Sequence, residues 1–227
     1  MQSSKNTLNH IAFIMDGNGT WSKKNNLQKK EGHKKGLIVA KKVISYALEE
    51  NIKNITLYAL SNENLTRPKL ELKHLFELFF YSFTNEKNFL IEKNIKVKFI
   101  GELNKLPKKI KENAILLEKQ TSMNKSLNLF VALNYGGKQD INQAVEKYCK
   151  GNLKNKKFES FLYSKDLPEV DLLIRTGGYK RLSNFVLWQL TYTELYFTNT
   201  LWPNFNKRSL NNAINWYKSI DRKFGKS

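Results

Sequence analysis

The chain carries one cysteine in 227 residues, so neither an intrachain disulfide framework nor a cysteine-built metal site is open to it. Cys149 lies in a segment of helical period, and a lone thiol suits a reducing compartment, so a cytoplasmic location is expected. Long hydrophobic runs are missing as well. Charges interrupt every apolar stretch well before the ~20 residues that a membrane-spanning helix requires. Only nine residues precede the first strand-like run, leaving little room for a targeting peptide. Acidic residues are few, 20 against 39 lysines and arginines, and the net charge of +19 attracts polyanions: nucleic acid, anionic lipid or phosphorylated small molecules. Most lysines come as scattered pairs such as Lys23-Lys24, Lys34-Lys35 and Lys41-Lys42, the pattern of a solvated surface. A recognition motif, an aromatic stacking platform and a clustered basic helix are all lacking, so no nucleic-acid partner is expected.

No repeat or low-complexity linker divides the chain, and residues 1–227 read as one domain. Short β-rich runs alternate with longer segments of helical period, which predicts a single-domain α/β fold: a central, mostly parallel six-stranded sheet surrounded by helices. The predicted strands are His10–Met15, Asn54–Leu60, Lys96–Ile100, Leu127–Leu133, Val170–Arg175 and Glu194–Phe197. Helices are predicted over His33–Glu50, Pro68–Ile91, Lys105–Thr121, Gln139–Lys150, Phe158–Tyr163 and from Lys207 to about Phe224. The helix from Pro68 is apolar on more than one face, as a core helix, a subunit-interface helix or the wall of an apolar cavity would be.

Ligands of an open parallel sheet gather beyond the carboxyl ends of its strands. After the first strand comes Asp16-Gly17-Asn18-Gly19-Thr20-Trp21, a carboxylate beside a glycine-rich turn whose N–H groups can line an anion site. Magnesium takes one or two carboxylates together with phosphate oxygens and water, which Asp16 can supply. A calcium EF-hand is excluded, because the sixth position from Asp16 is Trp21 where glycine is needed and the twelfth is Leu27 where glutamate is needed. A plain tight turn remains the alternative for this segment taken alone. The second strand runs into Ser61-Asn62-Glu63-Asn64-Leu65-Thr66-Arg67-Pro68. The fifth ends at Arg175, with Arg181 and Ser183 across a Thr-Gly-Gly turn. Only five of the 39 basic residues are arginines, so two at one strand end point to bidentate phosphate contacts.

At these residues the sequence resembles the cis-prenyltransferase family, especially bacterial undecaprenyl diphosphate synthases. Five blocks match in order: HIAFIMDGNG, GHKKG at Gly32–Gly36, TLYALSNENLTRP, ALNYGGKQD, and the stretch from Asp171 to Phe205. The resemblance implies a homodimeric, magnesium-dependent transferase with an apolar tunnel, adding isopentenyl diphosphate units to an allylic diphosphate. It implies an allylic diphosphate site at Asp16, Gly17, Asn18, Gly19, Trp21, Lys29 and His33, and an isopentenyl diphosphate site at Arg175, Arg181 and Ser183. Ser61 and Asn64 would lie near the reacting carbons and Arg67 would bind substrate, with Asn64 and Asp16 acting in catalysis and Asp16 with Glu194 holding the metal. A long polyprenyl product would be handed to a membrane, so transient contact at its inner surface is expected. Thr20 and Leu65 stand where the family usually carries arginine and tryptophan, and Lys29 where arginine is common. A non-catalytic partner subunit of the same fold is the alternative that these departures leave open.

Overall fold

A computed structural model gives the fold for residues 7–150 and 156–223. Six strands form one sheet: β1 (His10–Ile14), β2 (Asn54–Ser61), β3 (Ile95–Ile100), β4 (Leu127–Tyr135), β5 (Leu172–Arg175) and β6 (Glu194–Phe197). Their order is β3-β4-β2-β1-β5-β6, and every pairing is parallel, so the sheet is wholly rather than mostly parallel. Seven α-helices surround it among the described residues: α1 (Asn18–Lys24), α2 (Lys29–Glu49), α3 (Lys69–Asn85), α4 (Lys87–Glu92), α5 (Lys108–Thr121), α6 (Gly137–Lys150) and α7 (Lys207–Ser219). Both faces of the sheet are covered, which is why β1 reads as an unbroken apolar run. Ile11 and Phe13 enter the larger core with α2, α3, α5 and α7, while Ala12 and Ile14 enter the smaller core with Phe130, Tyr135 and Phe185. None of the described helices is long and apolar enough to cross a membrane.

Several boundaries differ from the sequence reading. The segment read as a glycine-rich turn is the helix α1, entered from Gly17 at φ 112°. Helix α2 starts four residues before His33, and α5 starts only after Pro107, whose extended ψ of 137° keeps the preceding short 3-10 turn separate. The helix expected over Pro68–Ile91 is broken into α3 and α4 at Glu86. Residues Phe158–Phe161 form a 3-10 turn, and the chain leaves α7 at Ile220 in an extended conformation. Phe224, the expected end of that helix, lies outside the described residues.

Candidate active site

The direction of strand-to-strand travel reverses between β1 and β5: the chain leaves β1 for β2 on one side and β5 for β6 on the other. The crevice outside the carboxyl ends of such a strand pair is where an α/β sheet opens to ligand. Ile14 is in register with Arg175 there, and Asp16 and Thr176 follow. The Asp16 carbonyl accepts hydrogen bonds from the Thr176 hydroxyl at 2.7 Å and from the Trp202 amide at 2.9 Å, which fixes the backbone under the carboxylate. Asp16 Oδ2 accepts from Arg175 Nη2 at 2.5 Å. Arg175 Nη1 donates to Ser183 Oγ at 2.7 Å and to the Arg181 carbonyl. Arg175 is 2% exposed and its Nε has no partner, so this guanidinium braces the crevice rather than projecting as an open fork.

Two glycines one turn apart set α1 against α2. A Cβ at Gly32 would lie 2.1 Å from the Asn18 carbonyl oxygen and 2.4 Å from Ser22 Oγ, and one at Gly36 would lie 2.5 Å from Asn18 Oδ1. The GHKKG block is therefore a packing device, one that brings Asn18 and His33 to the crevice. Asn18 Oδ1 and His33 Nε2 are both buried without a hydrogen-bond partner among the described residues. Burial, followed by the Arg67 charge, pushes the His33 imidazole down to about 4 against the opposing pull of Glu71, so it is neutral at pH 7. Glu71, which the sequence reading did not single out, ties the polar rim together: it takes Lys29 at 2.8 Å and Arg67 at 3.0 Å. Burial opposes its ionisation, but the Lys29 hydrogen bond and the two cationic charges outweigh that and hold its carboxyl below the ordinary range.

A cavity of about 680 Å³ runs inward from this crevice. Asp16, His33, Arg67, Arg175, Arg181 and Ser183 line its polar part. Leu75, Phe79 and Phe83 of α3, with Phe89, Leu117 and Leu129, line its apolar part. Part of the surplus of apolar side chains along α3 is thus a cavity wall, while Leu72, Phe76 and Phe80 line a separate groove beside Pro107 and Ile110. Ser61 and Asn64 also line the cavity; Ser61 Oγ accepts from the Asn64 amide at 3.2 Å, and Asn64 Oδ1 from the Ser61 amide at 3.4 Å. Where α3 gives way to α4, Glu86 meets Lys41 of α2 at 2.6 Å, an ion pair set in the wall.

Not every expected residue joins this site. Gly17, Gly19, Trp21 and Lys29 do not line the cavity: Gly17 and Gly19 shape the start of α1 beside it, the Trp21 indole donates to Asn204 Oδ1 at 2.9 Å, and the Lys29 stem packs on Gly19. Glu194 is the first residue of β6, in register with Leu172 at the amino end of β5, and it pairs with Arg222 at 3.4 Å. Leu172 is itself level with Ile11, five residues before Asp16, so about 16 Å of strand separates the two carboxylates. Within one chain Asp16 and Glu194 therefore do not share a metal ion, and among the described residues no cluster of three or more metal-ligating side chains occurs. One carboxylate beside an unpartnered amide oxygen, that of Asn18, fits magnesium bound jointly with a ligand's phosphate oxygens, not a closed protein cage.

The family model Prenyltransf, described as "Putative undecaprenyl diphosphate synthase", matches residues 14–225. The ditrans,polycis-undecaprenyl-diphosphate synthase, (2E,6E)-farnesyl-diphosphate specific, of Buchnera aphidicola subsp. Schizaphis graminum is 44% identical over 230 residues, covering 97% of this chain and 92% of that protein. The isoprenyl transferase of Fusobacterium nucleatum is 39% identical, covering 97% of each. The crystal structure of lavandulyl diphosphate synthase from Lavandula x intermedia, in complex with dimethylallyl diphosphate, superposes with a TM-score of 0.90 at 33% identity, over 96% of this chain and 98% of that one. A probable undecaprenyl diphosphate synthase from Campylobacter jejuni gives 0.82 at 33% identity, over 97% of this chain and all of that one. With the ordered sequence blocks, the parallel sheet and the crevice at its switch point all agreeing with these matches, the chain belongs to the cis-prenyltransferase family.

Proposed function

We propose that the protein lengthens an allylic diphosphate, farnesyl diphosphate in the first instance, by adding isopentenyl diphosphate units in cis to give a long-chain polyprenyl diphosphate. Such a product serves as the precursor of the lipid carrier for cell-wall glycan synthesis. The observation that carries this reading is a single cavity joining a cationic mouth to an apolar interior, since the ligand it suits has a diphosphate head and a hydrocarbon tail. The names of the relatives support the same reading, and so does the retention of Asp16, Arg175, Arg181 and Ser183 around one cavity, which weighs against a non-catalytic partner subunit.

In this reading the allylic diphosphate lies at Asp16, Gly17, Asn18, Gly19 and His33, with Arg67 beside it, and isopentenyl diphosphate lies at Arg181 and Ser183 against the braced Arg175. Magnesium, when bound, would be held by Asp16 together with phosphate oxygens and would neutralise charge on the departing diphosphate. The neutral His33 can donate a hydrogen bond to a phosphate oxygen and carries no charge of its own into the site. Ser61 and Asn64 present polar groups to the cavity beside the reacting carbons, and the α3 wall keeps water from the cationic centre that forms there.

Exposed Leu195 on the edge strand β6, with exposed Trp188 shortly before it in the chain, supports assembly as a homodimer. Release of a product of tens of carbons into water would cost roughly 0.8 kcal/mol per methylene, so a membrane surface must receive it, and the net charge of +19 suits an anionic one. The protein would then work in the cytoplasm, at times peripherally at the inner membrane surface. Incubation of the purified protein with farnesyl diphosphate, radiolabelled isopentenyl diphosphate and magnesium should yield long-chain lipid, and a chelator should stop it. Label remaining wholly in the water-soluble substrate would refute the activity.

A further inference from the structure

Of the three arginines lining the cavity, Arg181 alone has a guanidinium with no hydrogen-bond acceptor and no carboxylate partner among the described residues. What it meets instead is an aromatic ring. Its guanidinium carbon lies 4.2 Å from the centroid of Tyr179, and that of Arg175 lies 5.7 Å from the same ring. Tyr179 is 52% exposed and lines the cavity. The turn that presents it is rigid: Gly177 and Gly178 have φ of 83° and 85°, and their amides donate to the carbonyls of Thr200 and Thr198, each at 2.9 Å. A Cβ at Gly177 would stand 3.0 Å from Asp16 Cβ, so the turn is seated directly on the crevice.

An aromatic partner differs from a carboxylate in what it leaves over. A cation–π contact engages the face of the guanidinium, whereas its N–H donors lie in the plane and stay available. Arg175 is the converse case, with both terminal nitrogens committed to Asp16, Ser183 and the Arg181 carbonyl. The geometry points to Tyr179 as a positioning residue for isopentenyl diphosphate: its ring parks the Arg181 guanidinium at the cavity mouth with its donors uncommitted, while Arg175 supplies charge from behind. This rests on the assignment of Arg181 to isopentenyl diphosphate made above. Without the ring, Arg181 would be a long, freely rotating side chain on an exposed loop, and its ordering would fall on substrate binding.

The test is steady-state kinetics on Tyr179→Ala, Tyr179→Phe and Arg181→Ala, with isopentenyl diphosphate varied at saturating farnesyl diphosphate. Tyr179→Ala should raise KM for isopentenyl diphosphate about two- to fivefold, as expected of a cation–π contact at an exposed site, with kcat and the melting temperature unchanged. Tyr179→Phe should restore the parental KM, because the ring and not the hydroxyl does the positioning. Adding Tyr179→Ala to Arg181→Ala should bring no further loss. A phenylalanine variant as weak as the alanine one would overturn the inference in favour of direct contact by the hydroxyl. A raised KM in Arg181→Ala beside a parental KM in Tyr179→Ala would overturn the positioning role alone. An unchanged KM in Arg181→Ala would remove the substrate assignment beneath it.

Discussion

Asp16 supports Arg175 electrostatically and, in the proposed function, also holds the metal; substitutions can divide the two tasks. Its carboxylate is the charge partner of Arg175, whose side chain is almost wholly buried. Stripping one member from a buried ion pair costs about 3–5 kcal/mol. Here the Asp16 side chain is 36% exposed and Arg175 keeps Ser183 and a carbonyl, so water can enter, and Asp16→Ala should cost about 2–3 kcal/mol. Asp16→Asn leaves an amide oxygen where Oδ2 accepted from Nη2, and should cost about 1 kcal/mol. If the carboxylate also holds magnesium against the diphosphate, both variants should lose roughly 100-fold or more in kcat despite their different stabilities. Urea denaturation followed by tryptophan fluorescence measures the first quantity, and incorporation of labelled isopentenyl diphosphate across a magnesium titration measures the second. An Asp16→Asn enzyme that is both stable and nearly as fast as the parent would falsify the metal role, leaving Asp16 as a brace for Arg175.

Gly32→Ala should force α1 away from α2, because the new methyl would sit 2.1 Å from a backbone oxygen; a loss of about 1–3 kcal/mol in denaturant unfolding is expected, with raised KM for the allylic substrate. His10 and His33 are both held down to about 4 chiefly by burial, so the unfolded chain takes up protons before the folded one as pH falls below 6.5. The stability they contribute above that pH should therefore be lost on acidification, about 2 kcal/mol for each by pH 5, and neither imidazole should titrate above pH 5 by NMR. Thr20→Arg should tighten allylic-substrate binding about ten- to hundredfold. An unchanged KM would show instead that Lys23 and Lys24, one helical turn further along α1, already supply the missing charge.

Much of this was legible because β1 and β5 are buried throughout, β2 and β4 over most of their length, and each helix switches the period of the chain. Strand ends came within a few residues, and with them the three segments that carry Asp16, Asn64 and Arg175 to one cavity. What sequence could not give was the partner of each charge. Two arginines at a strand end read alike, yet one is turned inward onto Asp16 and the other lies on a tyrosine ring. Glu71 sits in an ordinary helical run; its pairing with Arg67 is a local i,i+4 contact, but only the meeting of α2 with α3 makes it the anchor of Lys29 as well. Similarly, Asp140 closes the ALNYGGKQD block as a structural acceptor, taking the Tyr163 amide at 2.6 Å and the Ser164 hydroxyl at 2.7 Å. Glu194 lies apart from Asp16 within one chain because a residue opening a strand and one following a strand face opposite rims of the sheet.

The two glycines of α2 leave no slack between that helix and its short neighbour. Ala40 and Ile44, farther along α2, border the hydrocarbon end of the same hollow, whereas Asn18, clasped at Gly32 and Gly36, borders the head-group end. A rigid helix in backbone contact at one end behaves as a beam. Pressure on its greasy flank from a lengthening tail is thereby transmitted to the residues gripping the head, and the two ends of the hollow cannot respond to their contents independently.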